Sequence, residues 1–119
     1  MSNPTRMIAV LPTNNLEDSV EFYELLGFRP KGDDVYADYQ MLVDGKGAEL
    51  HLTKAPEGWL IPNKSPCGVY FYVDNVDELA LKVGASALHP PRKTPWGTYE
   101  FAVSDPDENL VRVGQSEGD

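Results

Sequence analysis

The sequence predicts an α+β fold of two tandem βαβββ modules whose concave mixed sheets share a cleft. Three observations carry this. Short segments of period-two alternation are separated by turn residues. Two helical segments open alike, Asn15-Leu16-Glu17-Asp18 and Asn75-Val76-Asp77-Glu78, and these lie 60 residues apart in a chain of 119. Each helix closes at a glycine, Gly27 or Gly84, before three further strands. The repeat therefore accounts for one domain, 1–119, with modules at about 5–53 and 68–114.

The elements follow in order. Arg6 to Pro12 contains the apolar run Met7-Ile8-Ala9-Val10-Leu11 and suits a first strand. Asn15 is placed as an N-cap, with Glu17 and Asp18 in the first turn, where the helix dipole favours anions. Leu16, Val20, Tyr23 and Leu26 follow helical spacing. Phe28 to Lys31 reads as a brief strand leading to the Gly32-Asp33-Asp34 turn. Val35 to Val43 alternates, with Tyr39, Met41 and Val43 on one face and Gln40 and Leu42 on the other. Asp44-Gly45 is a hairpin signal, and Ala48 to Thr53 is the returning strand, with Leu50 and Leu52 opposed to Glu49, His51 and Thr53. The stretch 54–67 is a long loop whose Trp59 is expected to pack against something. Val69, Phe71 and Val73 then alternate with Tyr70 and Tyr72 in a strand, and Asn75 caps the second helix. Ala87 to His89 is read as a short strand, Pro90-Pro91 as a loop, Tyr99 to Ser104 as a strand, Asp105 to Asn109 as a turn and Leu110 to Val113 as the last strand. Phe22, Phe28, Phe71 and Phe101 are core by default.

Composition narrows the function classes. There are 19 acidic and 10 basic residues, a net charge of −9, split ten to five in 1–60 and nine to five in 61–119. A negative charge spread through the fold disfavours nucleic acid and anionic lipid and favours cationic ligands. No apolar run approaches a membrane span and no secretory signal opens the chain, so a cytoplasmic protein is expected. The single cysteine, Cys67, excludes an internal disulfide. No phosphate loop, Gly-x-Ser-x-Gly or acid–base carboxylate pair is present.

The segment Asn15-Leu16-Glu17-Asp18-Ser19-Val20-Glu21-Phe22-Tyr23, running on to Leu26-Gly27-Phe28, resembles the helix region of the vicinal oxygen chelate superfamily. Asp105-Pro106-Asp107-Glu108-Asn109-Leu110 resembles that superfamily's Asp-Pro-x-Gly-Asn turn, with Glu108 in place of glycine. With Val73 to Leu79 the resemblance spans essentially the whole chain. The superfamily includes glyoxalases, extradiol dioxygenases, fosfomycin-resistance transferases and bleomycin-resistance proteins, and its enzymes hold a divalent metal on His, Glu or Gln. The matching positions here are Ile8, His51, Gly68 and Arg112. One imidazole among four does not make a metal site, so no metal and no cofactor are expected.

Pro95-Trp96-Gly97-Thr98-Tyr99-Glu100-Phe101-Ala102 is similar to a segment of the bleomycin-resistance proteins, in which the tryptophan stacks on the drug. Asp33-Asp34-Val35-Tyr36-Ala37 resembles their acidic, aromatic strand entry. The resemblance implies a homodimer with exchanged first strands that sequesters a cationic aromatic antibiotic without catalysis. Stacking aromatics and attracting carboxylates suit such a ligand. The candidate ligand-binding residues are Asp33, Asp34, Tyr36, His51, Trp59, Tyr70, Tyr72, Trp96, Tyr99 and Glu100. A metal-dependent enzyme of the same superfamily and a binder of a different small molecule stay open as alternatives.

Overall fold

A computed structural model of the chain describes residues 5–33, 36–61, 64 and 67–117. The first module comprises β1 (Ala9–Thr13), α1 (Leu16–Leu25), β2 (Arg29–Pro30), β3 (Tyr39–Val43) and β4 (Glu49–Lys54). The second comprises β5 (Gly68–Tyr72), α2 (Val76–Val83), β6 (Ala87–Lys93), β7 (Thr98–Ser104) and β8 (Leu110–Ser116). The two sheets have the same order, β1-β4-β3-β2 and β5-β8-β7-β6. In each, the first strand runs parallel to the fourth and the other pairs are antiparallel. The duplication inferred from caps and glycines is thus a duplication of topology.

Period-two alternation gives each sheet one face against the helices. Leu11, Leu42, Leu50 and Leu52 line that face in the first module, and Phe71, Phe101, Val103, Val111 and Val113 in the second. They join Tyr23 and Leu26 of the α1 region and Val76, Leu79 and Val83 of α2 in a single buried cluster. Phe28 and Phe71 meet across the modules with ring centroids 4.9 Å apart. The Asp105 to Asn109 turn is a second tie. Asp105 accepts the buried Tyr23 hydroxyl at 2.7 Å, and Asp107 accepts from the Asn14 backbone at 2.9 Å and from Ser19 at 3.2 Å. Burial, and then Asp105 beside it, push the Tyr23 phenol far above its ordinary range, so it stays a donor.

Several elements differ from the expectation. β1 starts at Ala9 and runs through Pro12, while Met7 is 97% exposed. An edge strand tolerates a proline because its outer side needs no ladder donor. β3 begins at Tyr39, with Tyr36 only in an isolated bridge to it. The Asp44-Gly45 signal lies in a longer loop, in which Asp44 accepts from the backbone of Lys46 and of Ala48. β6 continues through Pro90 and Pro91, because it too is an edge strand and shifts register on both sides of His89. Asn15 caps α1 as expected, accepting from Asp18 at 3.0 Å. Asn75 makes no such bond; Gln115 of β8 accepts from the Val76 N–H at 3.2 Å.

Candidate functional site

The second sheet turns Thr98, Glu100 and Ala102 of β7 to the face away from α2, since Phe101 and Val103 are committed to the core. Three donors converge on Glu100 Oε1: the Thr98 hydroxyl at 2.6 Å, the Tyr70 hydroxyl at 2.8 Å and the Trp96 indole N–H at 3.2 Å. Tyr70 sits on β5 and reaches Glu100 by crossing β8 over Gly114. A methyl group at Gly114 would overlap the Tyr70 hydroxyl and lie 3.0 Å from Glu100 Cβ. Burial pushes the Glu100 carboxyl up, but the bonds from Thr98, Tyr70 and Trp96 and the charge of Arg112 outweigh it and leave the pKa lowered.

Trp96 is presented by the turn between β6 and β7. The Gly97 N–H bonds the Thr94 carbonyl at 3.3 Å, and Gly97 has a φ of 87°, which glycine adopts without strain. With its N–H edge held by Glu100, the indole is still 66% exposed. Beside it lies a recess of about 480 Å³ whose wall includes His89, Arg92, Glu100 and Arg112.

The first sheet carries a separate polar cluster on its corresponding face. Glu49 Oε2 lies 2.7 Å from His51 Nε2, and His51 Nδ1 lies 2.7 Å from the Tyr39 hydroxyl. Arg6 and Lys31 add bonds to Glu49 at 2.9 and 3.2 Å. The hydrogen bond from His51, with those from Lys31 and Arg6, holds the Glu49 carboxyl at about 2 despite the cost of burial. Glu49 is therefore an acceptor at neutral pH, which puts a His51 N–H on Nε2, while Nδ1 and the Tyr39 hydroxyl share the second hydrogen bond. A smaller opening of about 210 Å³ between the modules is lined by Glu49 of this cluster and by Tyr70 of the other.

The structure brings Tyr70, Trp96 and Glu100 into one hydrogen-bonded group and packs Tyr72 against Tyr70 in a tilted contact, with centroids 4.5 Å apart and planes at 38°. His51 belongs to the first-sheet cluster. Tyr99 needs correction. It precedes Glu100 on the same strand, so its side chain lies on the opposite face, where its hydroxyl donates to Asp77 of α2 at 2.7 Å. Trp59, expected to pack, is 81% exposed and lines none of these openings. Asp33 and Tyr36 are exposed beside the β3 entry, and Asp34 lies outside the described residues. Tyr39, Arg92 and Thr98 were not among the expected site residues, and Arg112 entered only as a failed metal position.

Residues 7–113 match the family model described as glyoxalase/bleomycin resistance protein/dioxygenase superfamily. The chain belongs to this superfamily. Its fold superposes on that of a bleomycin-binding protein crystallised with bleomycin, with a TM-score of 0.76 and 26% identity, covering 96% of this chain and 100% of the other. A bleomycin resistance determinant encoded on the transposon Tn5 gives a TM-score of 0.79 at 26% identity, covering 97% and 100%. TioX from Micromonospora sp. ML1 shares the fold, with a TM-score of 0.71 at 20% identity over 95% and 99% of the chains. No curated protein matches the chain at a significant level.

The superfamily's enzymes use metals, and the residues here do not fit one. His51 and Arg112 are equivalent by register, since Val10 pairs with His51 as Tyr70 pairs with Arg112. Both ring nitrogens of His51 are engaged, by Tyr39 and Glu49. Arg112 is a cation without a lone pair to offer, and Ile8 and Gly68 have no side-chain donor atom. Among the described residues no three of His, Cys, Asp and Glu converge. No helix there is long and apolar enough to cross a membrane.

Proposed function

We propose that this protein binds and sequesters a cationic, aromatic-bearing antibiotic of the bleomycin type without altering it chemically, and so confers resistance in the cytoplasm. The observation that carries the reading is Trp96: an indole pinned at its edge by a buried carboxylate, its ring largely exposed beside a recess, on a fold shared with a protein solved with bleomycin bound. Stacking on such a ring contributes about 0.5–2 kcal/mol, more as water is excluded. Trp59 and Tyr36 are exposed aromatics able to add to it, and Asp33 and Asp34 supply negative charge. The working form is a homodimer with two such sites, in which exchange of β1 is open to the partner because β1 is an edge strand.

Calorimetric titration with metal-free and copper-loaded bleomycin tests the ligand. The expected dissociation constant is below about 10 µM, roughly −7 kcal/mol. Trp96→Ala is expected to weaken binding more than tenfold, a loss of at least about 1.4 kcal/mol. Failure of both bleomycin forms to bind at that level rejects this ligand. Light scattering is expected to give twice the chain mass of 13.2 kDa.

A further inference from the structure

The chain carries an excess of nine negative charges, yet the recess beside Trp96 inverts that balance. Arg92 of β6 stands opposite Glu100 in the sheet register, and Arg112 of β8 stands opposite Ala102. Two guanidinium groups thus flank the strand that holds Glu100, on the same face as its side chain, and Lys93 and His89 add to the wall. Glu100 is the sole carboxylate on that wall among the described residues, and it is buried, with three donors on one oxygen. Among the described residues Arg92, Lys93 and Arg112, like Arg29, Lys54 and Lys64, form no salt bridge, whereas Arg6, Lys31, Lys46 and Lys82 do; Arg92, Lys93 and Arg112 are gathered on one wall. The charge of Arg112 already acts on Glu100, but three cations against one buried carboxylate leave this wall net positive in an otherwise acidic chain, an excess that a further anion would offset. Guanidinium forks match planar oxyanions, and an indole beside them takes a flat ring.

We infer that the recess holds an anionic group, a carboxylate, sulfonate or phosphate, carried on a planar aromatic ring that stacks on Trp96. This rests on reading the Trp96 face as the ligand site and names the group the ligand carries next to its ring. The rest of that ligand remains free to be cationic and to face the acidic surroundings, so a zwitterion satisfies both.

The test uses naphthalene-2-carboxylate, its carboxamide and 2-naphthylmethylammonium, titrated calorimetrically into the full chain and into Arg92→Gln/Arg112→Gln. Both arginines are exposed, so the variant is expected to fold, with its circular dichroism and melting curve as the check. The carboxylate is expected to bind about tenfold tighter than the amide, from two to three exposed charge contacts. In the double variant that ratio falls to near one, while Lys46→Gln/Lys82→Gln, an equal charge change elsewhere, leaves it intact. Equal or tighter binding of the amide or the ammonium overturns the inference. So does a ratio that survives in the Arg92→Gln/Arg112→Gln variant, a ratio lost equally in Lys46→Gln/Lys82→Gln, or no binding of the carboxylate. Bleomycin titrated into the same samples separates the two readings. No bleomycin binding with the carboxylate preference intact removes the proposed function alone, and bleomycin binding without the preference removes this inference alone.

Discussion

Gly114 is where β8 lets a neighbouring side chain cross it. Tyr70 passes over its backbone to reach Glu100, and Glu100 in turn holds Trp96. Gly114→Ala is expected to push the Tyr70 ring aside and cost about 1–3 kcal/mol, the range for forcing extra volume into a packed site. Urea denaturation reads the loss, and an unchanged midpoint would show that Tyr70 moves freely. Glu108 is the opposite case, a side chain where none is wanted. Its φ of 64° makes it the one non-glycine residue with positive φ among those described, at the position where the superfamily's turn has glycine. It is exposed, and none of the turn's hydrogen bonds uses its side chain. Glu108→Gly is expected to stabilise the protein by about 0.5–1 kcal/mol, the relief of left-handed strain less the added freedom of the unfolded chain. A lower melting temperature in the variant would contradict this.

At the scale of elements, the first sheet's cluster makes stability depend on pH. The Glu49 carboxyl lies at about 2 in the fold against an ordinary 4.5, so its folded pKa is depressed. Its contribution is present in full above about 4.5 and is lost as pH falls towards 2. Glu49→Gln is therefore expected to be less stable than the parent at pH 7, with the gap narrowing below about 4.5 and closing near 2; a gap independent of pH would assign the loss to packing. The strands that build this cluster were legible from alternation, which put Tyr39 with Met41 and His51 with Glu49. The pairing between them was not. A two-residue turn at Asp44-Gly45 implies one register, and the actual loop, 44–48, shifts it so that Met41 faces His51 and Tyr39 faces Thr53, within reach of the imidazole. Likewise the α1 cap was local and readable, whereas α2 is served by Gln115 from 39 positions along the chain. Trp96 and Glu100 were readable because they share a short segment. Arg92 was not, because two register shifts in β6 break any face count begun at Ala87. Tyr99 shows the converse: alternation alone bars neighbours on a strand from sharing a face, and that exclusion outranks a matching segment.

Over the whole molecule, local and global charge have opposite signs. The net charge of −9 acts at long range, while Arg92 and Arg112 act only within the recess. The two therefore govern different steps. Long-range attraction sets how fast a cationic ligand arrives, and stacking on Trp96 with the recess contacts sets how long it stays. At about 0.15 M salt the screening length is near 8 Å, shorter than the distances over which a spread charge gathers ligand, but longer than a contact inside the recess. Raising ionic strength from about 0.01 M to 0.3 M is thus expected to slow association of bleomycin severalfold and to alter its dissociation rate much less. Trp96→Ala should do the reverse, raising dissociation and sparing association. Stopped-flow measurement of both rates across the salt series checks the division. Equal salt effects on the two rates would mean that the acidity of this chain has no part in capture and serves solubility alone.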